Sequence, residues 1–529
     1  MSWRLALITS ACLWASAPPA WFPGAGLLVL VGWMAFYAGI AEGVVRLPRL
    51  QAYLVGVIHM AAFSFSVRHV MLGAFVAIVL VGGLYYVLML LWTRAASRFV
   101  PGSIGFGVAL AGAHWLRGHL TEIQYPHCQP VHCLYRFPDL LGSLTWGSEI
   151  FSNLLLGVLA AGMVDLYRAW RVGTPDYRRS IWVLGSAVSV FVATMWAPGG
   201  VPAPDRKVRI AGLEPGFTAS DCLSGRWQSL LLPRVVQPSR ELLGTKPYPD
   251  LLVWPESISV HGLLGDADPP QLRWARGVDL ALPAGTRLLA GCNWSWTSTG
   301  TPQTKVAAVL SDSAGGYLGH HEKRRLVPGG EHQPFLDWLP KSWSDSVRGM
   351  FESAMGQRLP DVTPGQLRPL LQTASGIPFG AMICFDNAFP EISEELVAAG
   401  AAFLVVISNE SWYRGGAELD QMEAMSVCRA LECRVPVFRC TVDGASMLVV
   451  PSGAVVRRQQ AQEARSSRFL TADLAVSATG HRSVPPMHTA VRWVVLLGLL
   501  VLVGPLLGWM AGFLRGRRQP THAIVSEPS

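Results

Sequence analysis

Charged residues are scarce in this sequence. Asp, Glu, Lys and Arg make up 15% of its 529 residues, whereas hydrophobic residues make up 51%. A soluble domain of ordinary composition carries about 25% charged residues, so this composition indicates a membrane protein. The chain is also too long for one ordinary soluble domain, which predicts at least two structural parts.

The sequence also lacks the features of nucleic-acid-binding proteins and of disulfide frameworks. Its formal net charge is +8, but no basic stripe is interleaved with aromatic residues, and much of the excess lies in short loops beside apolar segments. Its nine cysteines include no Cys-x-x-Cys pair and no regular spacing. We therefore expect several buried thiols and one reactive thiol.

Seven apolar windows occupy the first 200 residues, and an eighth lies near the end of the chain. A helix needs about 20 residues to cross a bilayer, so each window is a candidate span and the short fifth window is marginal. We expect a transmembrane bundle over residues 1–200, a C-terminal transmembrane helix over 489–515 and a cytoplasmic tail over 516–529. The windows lie at residues 4–20, 22–45, 51–67, 70–93, 103–117, 149–167, 181–197 and 491–514.

Basic residues predict the orientation of these spans. Arg46 and Arg49 follow the second window, Arg94 and Arg98 follow the fourth, and four arginines follow the sixth. Cytoplasmic loops carry the excess of basic residues, so these loops are predicted to lie in the cytoplasm. The large segment between the seventh and eighth windows is then extracytoplasmic.

The loop between the fifth and sixth windows contains two His-Cys pairs, His127-Cys128 and His132-Cys133. Two pairs of adjacent residues make a poor tetrahedral metal site. In an oxidising compartment, a local disulfide between the two cysteines is one alternative and two free thiols are the other. The sequence leaves both open.

Short apolar runs alternate with helical stretches in residues 205–483. This alternation predicts an α/β domain with a largely buried sheet. The predicted strands are Leu251–Trp254, Arg287–Gly291, Phe379–Ile383, Ala402–Ser408, Val435–Arg439 and Met447–Val450.

Residues 328–366 interrupt this alternation. The segment contains Trp338, Trp343 and Phe351 among scattered charges. A loop of that size inside a compact domain is usually functional. We expect either a substrate lid whose apolar face enters the bilayer surface or ordinary packing of these aromatic residues.

Three segments of the α/β domain place a reactive side chain beside a strand or turn. Glu256 ends a Trp-Pro-Glu sequence, Lys323 lies eight residues before Glu331 around a Pro-Gly-Gly turn, and Cys384 directly follows an apolar run. Each residue alone has a structural explanation, since a buried cysteine is often only a small hydrophobic residue. Together they supply a carboxylate base, a cation for an oxyanion and a thiol nucleophile, which acyl transfer through a thioester requires.

In this order and spacing, the three residues resemble the Glu-Lys-Cys triad of the nitrilase superfamily, whose carbon-nitrogen hydrolase domain is an α-β-β-α sandwich. With the predicted spans, the chain is similar to the apolipoprotein N-acyltransferase family of bacterial membranes. The fold class implied is a polytopic α-helical membrane bundle with a nitrilase-like extracytoplasmic α/β domain over 205–483. The resemblance rests on Trp-Pro-Glu256, Lys323 to Glu331, Cys384-Phe-Asp386, Ile407 to Trp412, Arg429-Ala430 to Glu432, Arg434-Val-Pro436 and Arg439.

The resemblance implies a role for each site residue. Glu256 would be the general base, Lys323 would stabilise the tetrahedral intermediate and Cys384 would be the nucleophile. The supporting residues would be Glu331, Phe385 and Asp386.

The reaction implied has two steps and needs no metal or organic cofactor. A phospholipid would donate an acyl chain to Cys384 as a thioester, and the α-amine of the diacylglyceryl-cysteine at a lipoprotein's N-terminus would accept it. The implied location is the bacterial inner membrane, with the catalytic domain on the periplasmic side. The alternatives are a membrane-tethered amidase or nitrilase that hydrolyses a C–N bond, and an inactive nitrilase-fold scaffold.

Three positions depart from the family pattern. Gly329 replaces an aromatic residue, Met422 replaces a histidine, and the family's Thr/Ala-Asn-x-Gly turn is Thr441-Val-Asp443-Gly444 here. The triad is intact, so we expect an active enzyme, and the resemblance leaves its donor preference, acceptor recognition and efficiency open.

Overall fold

The computed structural model has a helical N-terminal part and a C-terminal part built on two β-sheets. Arg46, the predicted tail and the end of the predicted C-terminal helix lie outside the described residues, as does the side chain of Phe351. The structure describes residues 3–19, 22–42, 48–173, 176–196, 201, 203–224, 226–256, 258, 261–264, 271–274, 280–298, 301–355, 362–413, 416–459, 466–477 and 484–500.

A helix overlaps each of the seven apolar windows of the N-terminal part, which confirms its helical character. Among the described residues, two helices, Leu72–Ala96 and Leu144–Val172, have the length and composition of a membrane span, and Ala25–Ala41 and His488–Leu500 are shorter apolar helices. The eight-span bundle therefore stays a prediction. The helices are α1 (Trp3–Ser16), α2 (Leu28–Glu42), α3 (Pro48–Phe63), α4 (Leu72–Ala96), α5 (Gly102–His119), α6 (Leu144–Val172) and α7 (Tyr177–Thr194).

Glycine allows α5 and α6 to pack closely. A Cβ atom added to Gly157 would lie 2.8 Å from the Cα of Gly107, and one added to Gly107 would lie 2.7 Å from the carbonyl oxygen of Leu154. Contacts this short exclude any side chain. Small residues at helix contacts let backbones approach, which is how apolar helices associate where the hydrophobic effect does not drive them together.

The C-terminal part contains two sheets with parallel centres. In the first, β1, β2 and β5 are parallel, and β14 pairs antiparallel with β1 at the edge. In the second, β9, β10 and β11 are parallel and antiparallel strands flank them. The first sheet contains β1 (Arg206–Glu214), β2 (Leu251–Trp254), β3 (His261–Leu264), β4 (Gln271–Trp274), β5 (Arg287–Ser298), β6 (Thr301–Ser311), β7 (Tyr317–Glu322) and β14 (Arg468–Val476). The second contains β8 (Leu371–Gln372), β9 (Pro378–Ile383), β10 (Phe403–Ser408), β11 (Val437–Thr441), β12 (Ser446–Val449) and β13 (Val455–Gln459).

The two sheets pack face to face with helices on both outer faces. Side chains alternate between the faces of a strand, so neighbouring residues enter different cores. In the second sheet, Val405 packs toward the first sheet, whereas Leu404 and Val406 pack against helices. Leu252 and Trp254 of the first sheet pack against helices on its other side. The predicted α-β-β-α sandwich is confirmed. The helices of the C-terminal part are α8 (Ala219–Leu223), α9 (Trp227–Leu231), α10 (Gln237–Leu243), α11 (Lys341–Met355), α12 (Pro390–Ala398) and α13 (Glu418–Cys433).

The outer helix layer of the second sheet packs on the N-terminal part. Val131, Tyr135 and Leu144 share one buried apolar cluster with residues of α12 and α13. Polar contacts add to this interface, because the Gln421 side-chain amide donates to the carbonyl oxygen of Phe63 at 2.8 Å. The N-terminal part therefore supports the sandwich directly.

A buried ionic network lies at the centre of this interface. Glu149 of α6 accepts a hydrogen bond from His132 Nε2 at 2.7 Å and pairs with Arg429 of α13. Arg429 Nε also lies 2.8 Å from Glu432, which accepts a hydrogen bond from the Ser148 hydroxyl at 2.7 Å. All five side chains are buried, so each charge depends on its partners.

Replacing Glu149 by alanine should destabilise the protein strongly. The change leaves the Arg429 guanidinium short of negative charge in a buried interface, and such a loss costs about 3–5 kcal/mol. The measurement is the apparent melting temperature of the full chain in detergent. The control is Asp473→Ala, which removes the exposed ion pair with Arg209 and should leave the melting temperature almost unchanged. Equal shifts in the two variants would show that the network contributes no more than a surface pair.

Candidate active site

The predicted triad lies where strands of the two sheets end. Glu256 follows β2 by two residues, Lys323 directly follows β7, and Cys384 directly follows β9. A Cβ atom on Gly291 of β5 would lie 2.7 Å from the Cα of Glu256, so only glycine lets β5 pass this backbone. The facing sheets thus bring together side chains that are far apart in sequence.

Lys323 is held between two carboxylates. Its Nζ donates to Glu256 Oε1 at 3.1 Å and to Glu331 Oε1 at 2.6 Å. Each carboxylate has a second anchor: Glu256 Oε2 accepts from the backbone N–H of Asn409 at 2.9 Å, and Glu331 Oε2 accepts from that of Val327 at 2.9 Å. These bonds fix the positions of one ammonium and two carboxylates in a buried site.

Cys384 begins a 3-10 turn and has an unusual backbone. Its φ angle is +50°, in the left-handed region that non-glycine residues seldom adopt. Asp386, two residues later, is wholly buried. Its Oδ1 accepts from the backbone N–H groups of Arg324 and Arg325 at 3.1 and 2.8 Å, and its Oδ2 accepts from that of Ile383 at 3.2 Å. Asp386 therefore ties the lysine segment to the cysteine turn.

The electrostatics keep the resting thiol protonated and the lysine charged. Burial raises the pKa of Cys384 to about 12; the negative charge of Glu256 adds to this and the charge of Lys323 opposes it. Burial alone would lower the pKa of Lys323, but Cys384, Glu256 and Glu331 outweigh it and raise that pKa well above its usual value. The thiol thus needs a base before it can attack, and the lysine can stabilise a negative oxygen.

The sequence pattern alone does not single out the carboxylate that precedes the lysine. Glu322 is wholly buried and binds Lys305 at 2.8 Å, Arg368 at 2.6 Å and His320 at 3.1 Å. The backbone N–H of Gln366 also donates to it at 3.0 Å. The signal in the sequence was an acidic residue directly beside Lys323. Its role is to fix the end of β7.

The predicted lid contains a helix. Trp343, Val347 and Met350 lie on one face of α11, and each is exposed, Trp343 by 66% and Met350 by 73%. Trp338, in a 3-10 turn before α11, is 72% exposed. Ordinary core packing therefore does not account for these side chains, and they form an exposed apolar stripe.

The departures from the family pattern have structural settings. Gly329 has a φ angle of +77°, which an aromatic residue at this position would not adopt without strain. Met422 is buried in the apolar cluster of α12 and α13. Neither change disturbs the hydrogen bonds of the triad.

Cys128 and Cys133 are both buried free thiols. Among the described residues, one group of three side chains has metal-ligand chemistry, namely His132, Glu149 and Cys428, whose ligand atoms lie within 4.8 Å of one another. Arg429 pairs with the same carboxylate. A guanidinium already compensates Glu149, so the group is a poor site for a cation.

The C-terminal part of the chain is similar to known proteins. Residues 245–481 match the model of the carbon-nitrogen hydrolase family. The chain is 30% identical over 206 residues to an apolipoprotein N-acyltransferase of Geobacter metallireducens, which covers 39% of this chain and 37% of that relative. It is 24% identical over 392 residues to an apolipoprotein N-acyltransferase of Sinorhizobium medicae, which covers 71% of this chain and 68% of that relative. The chain thus spans less than two fifths of the Geobacter relative's length.

Among solved structures, Saccharomyces cerevisiae Nit3, a member of branch 10 of the nitrilase superfamily, aligns with 51% of this chain and 91% of its own. The sequence identity is 16% and the TM-score is 0.35.

The rate of Cys384 acylation should fall about tenfold between pH 7 and pH 5, because Asp386 becomes protonated over this range. Burial raises the pKa of Asp386 to about 6, against the opposing backbone N–H groups and the Lys323 charge. The carboxylate is therefore ionised above pH 6 and protonated below it. A protonated Asp386 accepts its three hydrogen bonds less well, so the turn loosens as the pH falls.

The measurement is the pH dependence of Cys384 acylation by an activated ester, followed by intact mass. Asp386→Asn cannot titrate, and it should show a lower rate without this acidic limb. The control Glu395→Gln removes a carboxylate that pairs with Arg324 at 2.7 Å, and it should keep the limb. An unchanged acidic limb in Asp386→Asn would assign it to another group.

Proposed function

We propose that this chain, whose residues 245–481 form a carbon-nitrogen hydrolase domain, is a membrane-bound N-acyltransferase that completes the acylation of lipoproteins. The acyl donor is a phospholipid, and the acceptor is the α-amine of an N-terminal diacylglyceryl-cysteine. One observation carries the proposal: an ammonium held between two anchored carboxylates lies beside a protonated thiol at the ends of two facing sheets. The similarity to curated N-acyltransferases supports the choice of substrates.

In the first step, Glu256 accepts the thiol proton as Cys384 Sγ attacks the ester carbonyl carbon of the phospholipid. The carbonyl oxygen becomes an oxyanion, and the charged Lys323 stabilises it. When the intermediate collapses, the ester C–O bond breaks and the proton on Glu256 moves to the departing alcohol. The products are an acyl thioester on Cys384 and a lysophospholipid.

In the second step, the acceptor amine attacks the thioester carbonyl. A carboxylate takes one amine proton, the C–S bond breaks, and the thiolate of Cys384 is protonated again. Glu331 is the second carboxylate in reach of Lys323, and we assign it to the incoming amine. The products are an amide on the lipoprotein and the resting enzyme.

The same proposal places both lipids and the reacting thiol at a membrane surface. Residues 1–200 would form a bundle of seven spans, residues 489–515 an eighth, and residues 205–483 the periplasmic catalytic domain of an inner-membrane protein, with residues 516–529 as the cytoplasmic tail. Large apolar side chains on the outer faces of α4 and α7 support this, because Leu72, Leu84, Trp182 and Val192 are all exposed. Exposed apolar surfaces of this kind are expected to contact lipid and not water.

The α11 helix completes the proposed arrangement as a lid. Its exposed stripe of Trp343, Val347 and Met350 is an apolar face that a bilayer surface can accept. Entry of this face into the lipid would hold the thiol near the headgroup region, where the ester carbonyl lies. It would also help to exclude water, which would otherwise hydrolyse the thioester.

The acyl-enzyme should appear at Cys384 alone. Detergent-purified wild-type protein incubated with a defined phospholipid should gain the mass of one acyl chain, and Cys384→Ala should gain none. Addition of a diacylated lipopeptide should remove the adduct and yield a triacylated product. Absence of the adduct beside an active control enzyme would reject the thioester mechanism. Loss of the adduct with release of free fatty acid and no triacylated product would favour a hydrolase.

Substitutions in the exposed apolar stripe of α11 should change the kinetics with lipid substrates and leave the reactivity of the Cys384 thiol unchanged. Trp343→Glu combined with Met350→Glu should weaken binding to anionic vesicles and raise the KM for phospholipid by about tenfold, because charged residues partition poorly into the interface. Alkylation of Cys384 by iodoacetamide should stay unchanged. The control Ser342→Glu adds a charge on another face of α11. A wild-type KM in the double variant would contradict the lid.

A further inference from the structure

His127 is a buried side chain that the proposed reaction does not use. It lies in the loop between α5 and α6 and is 2% exposed. Its ring stacks on the ring of Phe385, with centroids 5.8 Å apart and an interplanar angle of 23°. Phe385 directly follows Cys384. A histidine from the N-terminal part thus contacts the turn that carries the nucleophile.

The contact belongs to a column of aromatic rings that begins in α3. Phe63 stacks on Tyr125 with centroids 6.1 Å apart, and Tyr125 stacks on His127 with centroids 4.5 Å apart. On the far side, Phe385 meets the edge of Phe389 at 5.2 Å. We call these five residues the aromatic column. It connects an apolar helix of the N-terminal part to the nucleophile turn by ring contacts alone.

Arg117 of α5 fixes the backbone under His127. Its guanidinium is buried and donates to the carbonyl oxygens of His127 at 2.6 Å and Cys128 at 3.3 Å. It also bonds to His114 Nδ1 at 3.0 Å. Cys128 has a φ angle of +49°, so this stretch of loop has a constrained backbone. The histidine ring is therefore presented by a rigid support.

The nucleophile turn needs such support. The left-handed backbone of Cys384 is strained, and conformations of this kind persist only where the surroundings hold them. Asp386 holds the turn from the side of the lysine segment through three hydrogen bonds. The packing of Phe385 holds it from the other side, and the ring of His127 forms part of that packing.

We propose that His127 is a positioning residue for Cys384, which holds Phe385 by ring stacking and so keeps the nucleophile in its left-handed conformation. This role deepens the proposed function and rests on it only for the acyl-transfer readout. The column makes the N-terminal helices part of the catalytic machinery in addition to being an anchor.

An acid–base role for His127 does not fit its surroundings. Burial, with the charge of Arg117 adding to it, lowers the pKa of His127 to about 3, so the ring is neutral at physiological pH. Neither ring nitrogen has a hydrogen-bond partner among the described residues. His127 therefore contacts its neighbours through the face of its ring and not through its nitrogen atoms.

Two substitutions separate stacking from the polar atoms. His127→Phe keeps a flat ring and removes both nitrogens, whereas His127→Leu keeps the approximate volume and removes the ring. The control Tyr135→Leu removes a buried aromatic residue of the same loop that bonds to Arg136 and Asp420 instead. All variants are full chains in detergent, compared at a temperature well below each melting temperature.

The first readout is the rate of Cys384 alkylation by iodoacetamide at fixed pH, resolved by peptide mass. The second readout is the change in kcat and in KM for acyl transfer, each measured separately. His127→Leu should lower the alkylation rate and kcat by about 10–100-fold with KM within twofold, because a small misplacement of a nucleophile has effects of this size. His127→Phe should retain both within about threefold, and Tyr135→Leu should leave both close to wild type.

Wild-type rates in His127→Leu would overturn the proposal. Equal losses in His127→Leu and His127→Phe would also overturn it, because they would assign the role to the ring nitrogens. Equal losses in His127→Leu and Tyr135→Leu would do the same, because they would indicate general damage to the loop. Alkylation requires no acyl donor. If the wild type transferred no acyl chain, the proposed function would fail while the alkylation rates still tested the positioning of Cys384.

Discussion

The burial of one ammonium between two carboxylates is the interaction on which the site depends. A buried charge is tolerated only when partners compensate it, and Lys323 has two, each anchored by a backbone N–H. The group carries one net negative charge while the thiol is neutral. Moving the thiol proton to Glu256, or the charge to an oxyanion, leaves that total unchanged. The site therefore redistributes charge during the proposed reaction without accumulating it, which suits a region that excludes water.

The remaining architecture positions these charges. The two sheets contribute Glu256 and Lys323 from one side and Cys384 from the other, and Asp386 joins the two contributions. The second sheet in turn lies on α12 and α13, which pack on the N-terminal helices. The N-terminal helices therefore support α12 and α13, these two helices support the second sheet, and that sheet positions the thiol. The ionic network around Glu149 and the aromatic column are two separate connections across that interface.

Elements with a strong local pattern were predictable, whereas those decided by distant contacts were not. β2 was predicted at its observed ends because Leu251–Trp254 is a short apolar run between turns. β7 was missed because Tyr317–Glu322 includes a glycine and two histidines and is stabilised by pairing with β6. The sequence pattern predicts a loop where α11 lies, because most residues of this helix are polar. The triad follows from spacing and resemblance, but the stacking of His127 on Phe385 joins residues far apart in the chain, and no local signal encodes it.

The pairing of Glu149 with Arg429 also sets an order for biogenesis. The two residues are 280 positions apart in the chain, so a ribosome delivers α6 long before α13 exists. During that interval the carboxylate has no guanidinium, and His132 is its nearby polar partner. By the proposed topology, the charged face of α6 stays unsatisfied until the exported domain has folded back onto it. In the proposed topology, the contact between α6 and α13 is therefore completed only after the domain that carries α13 has been exported.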